Sequence, residues 1–177
     1  MGMSYDIVPN KQTKCGNVFG NGLSFFFEQV GGYGETAEVE QVSQILKIDL
    51  TVFQDVDYNY DDKNDVAKHW HDIDSLLSIV DTFINKIVAH PDYHKQVHHN
   101  PADRNKQFDE ESKLWQLTDT TERDKKIEVL RTQPFYYYPP EYGYLSQGRL
   151  LKDLQILKKT LDCYKKNAVT KVRFEYT

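Results

Sequence analysis

The C-terminal residues 146–177 constrain the fold more than any other part of the chain. Apolar side chains first recur there at gaps of three and four residues, which is the spacing of one helix face: Leu150, Leu154, Leu157, Leu161 and Tyr164. The pattern then changes to alternation, because charged residues separate Val172, Phe174 and Tyr176. The chain therefore ends in a helix followed by a strand with one buried face.

A longer apolar stripe predicts a second helix over residues 66–89. Its positions keep the helical spacing for three heptads: Val66, Trp70, Ile73, Leu77, Val80, Ile84 and Ile87. Residues 23–30 form a short apolar run and residues 45–53 alternate between apolar and polar side chains, so both predict strands. With residues 169–176 they predict an antiparallel sheet in an α+β fold. The two long amphipathic helices, 66–89 and 147–166, then pack on one face of the sheet.

Size and composition narrow the class of protein. The 177 residues are enough for a single domain, 1–177, with one core. No apolar run approaches the ~18 residues of a membrane span, and the N-terminus has no signal-peptide pattern. Cys15 and Cys163 stand alone and do not form a disulfide framework, which favours a reducing compartment. These features predict a cytoplasmic protein with no membrane contact.

The charge of the chain indicates what kind of partner it binds. The net charge is −5, and the basic side chains are mostly scattered lysines rather than a concentrated patch. Nucleic acid is therefore not expected as the partner, because phosphate neutralisation needs a dense basic surface. An acidic chain is better suited to a basic protein, since opposite charge speeds encounter.

The aromatic tract over residues 135–144 is the main candidate binding site. Tyrosine buries a large area and keeps a polar hydroxyl, and neighbouring prolines stiffen the segment, so such a tract suits recognition. The alternative is that several of these rings close the core. The predicted partner-binding residues are Tyr136, Tyr137, Tyr138, Glu141, Tyr142 and Tyr144.

The histidines offer an alternative metal site. His90, His94 and His98 are spaced four residues apart, and on a helix over residues 91–99 two of them share a face. The acidic partner of motifs such as HExxH is missing, which favours a solvated helix end and no metal or other cofactor. His69 and His71 are two residues apart and, on a helix, point to different faces.

The acidic segment beginning at Asp55 resembles part of a calcium loop. Asp55, Asp57, Asn59 and Asp61 match the oxygen-ligand positions of that template. Tyr60 and Val66 occupy the positions where the template needs Gly and Glu, so a calcium site is disfavoured.

Without a catalytic motif, the leading hypothesis is a small protein that binds and inhibits another protein, and is not an enzyme. An immunity-type or phage counter-defence-type protein fits the small size, the acidic charge and the tyrosine tract. The first alternative is a metal-dependent hydrolase that uses His90, His94 and His98. The second is a structural homo-oligomer, such as a homodimer, that pairs through an exposed heptad seam.

Overall fold

A small sheet forms around the C-terminal strand. The computed structural model describes residues 5–16, 19–28, 37–57, 66–98, 109–132 and 143–176. Strand β1 (Tyr5–Pro9) pairs antiparallel with β4 (Lys171–Tyr176) along its full length. The other edge of β4 carries two short strands, β2 (Val56–Asp57) in parallel and β3 (His71–Asp72) in antiparallel orientation.

Strand β4 is central because one of its faces supplies the core. Val172 and Phe174 are 0% exposed, as is Ile7 from the neighbouring strand β1. Arg173 and Glu175 alternate with them and are half-buried. The predicted C-terminal strand is thereby confirmed.

Six α-helices are described. They are α1 (Asn21–Phe27), α2 (Glu38–Leu46), α3 (Ile73–Ala89), α4 (109–114), α5 (Thr120–Thr132) and α6 (Arg149–Lys166). Short 3-10 helices cover Thr51–Gln54 and Tyr93–Gln96. With the sheet, these helices make the chain an α+β protein, as predicted. Within the described residues, no helix combines the length and apolar composition that crossing a lipid bilayer requires.

Helix α3 begins later than its apolar stripe. Asp72 caps it by accepting a hydrogen bond from the Ser75 backbone N–H at 2.9 Å, and the pairing of β3 with β4 holds His71 and Asp72 in extended conformation. Residues 66–70 therefore lie outside the helix. Helix α6 begins after Gly148, whose φ of +68° suits glycine better than a residue with a Cβ.

The two long helices pack against each other in one core. The buried side chains of α3 are Ile73, Leu76, Leu77, Val80, Phe83 and Ile87. Those of α6 are Leu150, Leu154, Leu157, Thr160, Leu161 and Tyr164. Phe27 and Phe53 add a stacked aromatic pair with ring centroids 4.2 Å apart. The stripe predicted for α6 is thus buried, as are Ile73, Leu77, Val80 and Ile87 of the stripe predicted for α3, whereas Ile84 is half-buried.

Two predicted strands are wrong. Residues 23–27 belong to helix α1 and residue 28 to the turn after it, while residues 45–53 cover the end of α2, an irregular link and a 3-10 turn. Leu23, Phe26 and Phe27 are buried at helical spacing. Leu50 is buried without belonging to a strand. Short apolar runs fit either structure, and packing against the core decided between them.

A disulfide bond joins Cys15 to Cys163, so the prediction of isolated cysteines is wrong. The two Cα atoms are 6.0 Å apart although 148 positions separate the residues in sequence. Cys15 lies before α1 and Cys163 in the last turn of α6. The bond therefore ties the N-terminal segment to the C-terminal helix.

Candidate functional site

A carboxylate lies between two imidazoles at the edge of β4. Asp55 lies directly before β2. His69 lies two residues before β3, and His71 is the first residue of β3. His69 Nδ1 is 2.6 Å from Asp55 Oδ1, and His71 Nε2 is 3.0 Å from Asp55 Oδ2. Because β2 and β3 share one edge of β4, residues that are 14 and 16 positions apart converge on one carboxylate.

The two contacts of Asp55 differ in quality. The His69 contact has hydrogen-bond geometry. His71 Nε2 is close enough to Oδ2, yet it is buried and has no well-aligned hydrogen-bond partner among the described residues. The His69 contact is therefore a hydrogen bond, whereas His71 Nε2 lies close to the carboxylate without being aligned for one.

Strand β4, which pairs with the strands that carry the Asp55 cluster (Asp55, His69 and His71), holds a further ion pair. Arg173 Nη2 lies 2.5 Å from Glu175 Oε2, and the Arg173 guanidinium lies over the Trp70 ring, 5.2 Å from its centroid. The side chains of the two histidines are each 19% exposed, and that of Asp55 is 38% exposed. Asp55 is therefore the member of the cluster most open to solvent.

The geometry permits acid–base chemistry. A carboxylate beside His69 Nδ1 favours the tautomer that carries its proton on that nitrogen, which leaves Nε2 as the basic nitrogen. A histidine oriented in this way can take a proton from a water molecule or a hydroxyl group. No described group of three His, Cys, Asp or Glu side chains is arranged to hold a metal ion.

Sequence reasoning missed this cluster because it placed residues 66–72 on a helix. In extended conformation, residues two apart point to the same side of the chain, so His69 and His71 can meet one partner. The His-Trp-His spacing just before the Asp72 cap was the available signal. Asp55 could not be identified as that partner, because the contact depends on how β2 and β3 pair with β4.

The predicted His90, His94 and His98 are not brought together as ligands. His90 ends helix α3, and the expected helix over residues 91–99 is replaced by the 3-10 turn Tyr93–Gln96. His94 Nδ1 lies 3.1 Å from the Pro91 carbonyl oxygen. The described part of this cluster forms no metal-binding group.

The backbone of His98 is held by a buried amide side chain. Gln41 Oε1 accepts the His98 N–H at 2.8 Å, and Gln41 Nε2 donates to the His98 carbonyl at 3.1 Å. This double hydrogen bond ties the segment after the 3-10 turn to helix α2. His98 therefore has a structural role in its backbone, and its side chain is exposed.

Most of the predicted tyrosine site, residues 136–142, lies outside the described residues, and Tyr144 lies within them. Its hydroxyl donates to Asp153 Oδ2 at 2.9 Å, and its ring centroid is 6.3 Å from that of Phe26. Burial, followed by the Asp153 carboxylate, raises the pKa of Tyr144. Gly22 makes this approach possible, because a Cβ there would collide with the Tyr144 ring and lie 3.0 Å from Asp153 Oδ2. Tyr144 therefore uses its hydroxyl inside the fold.

A buried carboxyl lies near Tyr144. Glu38 at the start of α2 is 7% exposed, and burial raises its pKa to about 7. Burial of Tyr93 raises the pKa of that residue, and the charge of Glu38 raises it further by a smaller amount. The titratable side chains of Glu38 on α2, Tyr93 on the 3-10 turn, Tyr144 and Asp153 on α6 thus lie near one another beneath the surface.

Helices α4 and α5 present the most exposed tryptophan of the described residues. Trp115, in the turn after α4, is 54% exposed. The Arg123 guanidinium lies over its ring, with Cζ 4.8 Å from the centroid, and Arg123 Nε pairs with Asp124 at 2.9 Å. Ile127 and Leu130 of α5 are buried, yet they do not belong to the contiguous core.

Comparison with known protein families, with curated proteins and with solved structures finds no match.

Proposed function

We propose that this protein acts by binding another protein, and that the surface formed by Trp115 and Arg123 is part of the binding site. The observation that carries the proposal is an exposed tryptophan whose ring is already covered on one side by a guanidinium. Tryptophan and arginine are the residues most enriched among binding hot spots. An anchor held in place before binding also loses less side-chain entropy when the partner arrives.

The chain order links this surface to the tyrosine tract. Helix α5 ends at Thr132, the tract follows directly, and Tyr144 returns the chain to the core through Asp153. Recognition residues are commonly carried on segments between such anchored elements. The proposed site thus combines Trp115 with the predicted residues Tyr136, Tyr137, Tyr138, Glu141 and Tyr142.

The proposed partner is a basic protein. The chain carries a net charge of −5, and Glu141 is the charged residue of the tract. Complementary charge would accelerate association and orient the partner. An inhibitor of the immunity or phage counter-defence type is the class that we propose, acting by occupying a basic surface of its target.

Two exposed aromatic residues allow a matched test. Trp115 is 54% exposed and Phe25 on helix α1 is 53% exposed, so each can be replaced by alanine with a similar loss of exposed ring. Wild type, Trp115→Ala and Phe25→Ala proteins would capture partners from the source cells in parallel. Calorimetry with the identified partner would then measure affinity.

We expect Trp115→Ala to weaken binding by roughly 30-fold or more, with Phe25→Ala close to wild type. Tyr138→Ala and Tyr142→Ala extend the test into the tract. Circular dichroism and melting curves check that all variants fold. Equal affinity of all variants for the partner, with folding intact, would reject this site.

A second candidate function is hydrolysis by the Asp55 cluster. The observation that favours it is the 2.6 Å contact that leaves His69 Nε2 as a candidate general base. In such a reaction, this nitrogen would take a proton from water while the water oxygen attacks an ester carbon or a phosphorus atom. The bond from that atom to the leaving oxygen then breaks, and the imidazolium returns its proton to the leaving alcohol or phenol. Unlike the hydrolase based on His90, His94 and His98, this one needs no metal.

The hydrolase candidate is tested with p-nitrophenyl acetate, bis-p-nitrophenyl phosphate and an RNA oligonucleotide. If it is correct, one substrate is turned over, and His69→Gln lowers the rate by ~10²–10⁴-fold. His94→Gln, which changes a histidine outside the cluster, serves as control and leaves the rate unchanged. Absence of turnover by the wild type on all three substrates, with and without added chelator, rejects the candidate.

The Cys15–Cys163 disulfide does not support the predicted cytoplasmic location. The Cys15–Cys163 disulfide favours an oxidising environment, because glutathione and thioredoxin keep most cytosolic thiols reduced.

A further inference from the structure

The disulfide holds a segment that has few other attachments. Before this segment, the Asn10 backbone N–H donates to the Lys171 carbonyl at 2.9 Å, and the Asn10 side chain bonds Thr170. Within described residues 11–16, one hydrogen bond is local, from the Cys15 N–H to Thr13 Oγ1 at 2.9 Å. The covalent bond to Cys163 is therefore the main tie between this segment and helix α6.

One amide side chain contacts both sulfur atoms. Asn167 Nδ2 lies 3.3 Å from Cys15 Sγ and 3.8 Å from Cys163 Sγ, and it donates to the Cys163 carbonyl at 2.9 Å. Asn167 is the residue that follows α6 and caps its C-terminus. Its side chain thus contacts the disulfide where α6 ends.

The segment leads directly into the core. Helix α1 follows it, packs against α6 and buries Leu23, Phe26 and Phe27. Cys15 itself packs against that core and is half-buried. Opening the bond removes the constraint on a loop of 148 positions, so the segment before α1 loses its covalent attachment to α6.

We propose that Cys15–Cys163 is a redox latch that locks the N-terminal segment and α1 onto α6. Closing it converts two thiols into one disulfide, while two electrons and two protons pass to a low-molecular-weight disulfide that becomes two thiols. Opening it is the reverse exchange with a thiol reductant. The closed form is the stable one, so the protein operates where disulfides persist and loosens where they are reduced.

The first test counts free thiols. Protein from its source cells is treated with an alkylating reagent under denaturing, non-reducing conditions and weighed by mass spectrometry. The latch predicts no alkylated cysteine before reduction and two after it. Two alkylated cysteines without reduction, in protein exposed to a low-molecular-weight disulfide, would overturn the proposal.

The second test measures how much the disulfide contributes to thermal stability and to the protection of α1 from hydrogen exchange. Reducing the folded wild type is expected to lower its melting temperature by about 5–15 °C, since removing a native disulfide costs a few kcal/mol in a chain of this length. Amides of α1 should exchange hydrogen at least about tenfold faster after reduction, while those at the centre of α3 should change less.

The control is the Cys15→Ser, Cys163→Ser double variant. It should melt at the temperature of the reduced wild type and should not respond to reductant. Reduction of the wild type is measured on protein that is already folded, so the test stands even if the double variant is poorly produced. Unchanged melting and unchanged exchange in α1 on reduction would overturn the latch.

Discussion

Glu38 is the buried carboxyl whose ionisation opposes folding. Burial raises its pKa from 4.5 to about 7, so between these values the folded protein keeps a proton that the unfolded chain releases. The unfolded state then binds fewer protons, and the free energy of unfolding falls as the pH rises through this window. The stabilising contribution of protonated Glu38 is complete below pH 4.5 and is lost as the pH passes about 7.

We predict that Glu38→Gln removes this pH dependence. At about pH 8 the variant should be more stable than wild type by about 1–3 kcal/mol, because it buries a neutral amide where wild type buries a carboxylate. Urea unfolding at about pH 5 and pH 8 measures the difference. Glu40→Gln, two residues along α2 and less buried, is the control. A pH dependence that is identical in Glu38→Gln and wild type would contradict the prediction.

Single residues also show what local patterns leave open. Tyr144 belongs to a sequence tract whose rings suit either binding or the core, and a hydrogen bond to Asp153 and the absence of a side chain at Gly22 draw it into the structure. His69 and His71 fit no motif until Asp55 is placed between them. Composition and spacing carry no information about such partners when the residues are far apart in sequence.

At the scale of elements, helices α3 and α6 hold the molecule together. Their apolar stripes face each other, and the side chains involved are almost completely buried. Spacing at three and four residues was sufficient to identify both helices, since only a helix brings all those side chains to one face. The start of α3 was misplaced because the stripe runs back through residues that β3 takes up in pairing with β4.

We predict that Leu77→Ala destabilises the protein by about 2–5 kcal/mol. Leu77 is 8% exposed, so truncation loses both the transfer free energy of the side chain and its packing contacts. Val88→Ala on the same helix is the control, because Val88 is 62% exposed and should change stability by only about 0.5 kcal/mol. A loss below about 1 kcal/mol for Leu77→Ala in urea unfolding would show that this position is not part of a packed core.

The whole molecule combines a helical core with polar clusters at its periphery. The Asp55 cluster lies at the edge of β4, and the surface formed by Trp115 and Arg123 lies beside residues that do not join the contiguous core. The single domain of residues 1–177 stays a prediction, as does the homodimer. In this arrangement, the surface formed by Trp115 and Arg123 can bind a partner while the core formed by α3 and α6 provides the stability.

We predict that the purified protein carries no stoichiometric transition metal. Among the described residues, no three ligand side chains are arranged to hold one, and the two imidazoles of the Asp55 cluster contact one carboxylate instead. Elemental analysis of protein prepared without chelators measures this.

Two variants identify the site if the prediction fails. One zinc, nickel or iron per chain that is lost in His94→Ala would restore the metal site of His90, His94 and His98. Loss in His71→Ala instead would convert the Asp55 cluster into the metal centre. Either result would favour a metal-dependent hydrolase over the proposed binding protein.

The sequence by itself determined the elements whose signal is periodic. Helices α3 and α6 and strand β4 follow from the spacing of apolar residues, because burying one face of a regular element imposes a period on neighbouring positions. The α+β class follows from the same patterns. The acidic charge, which favours a basic partner, is also a property of composition alone.

Only the tertiary structure decided the rest. It made residues 23–27 helical, brought Asp55 to His69 and His71, and placed Cys15 beside Cys163. A short apolar run satisfies either a helix or a strand, so the surrounding core selects between them. Contacts between distant residues depend on how whole elements pair and pack, and no local period along the chain encodes that arrangement.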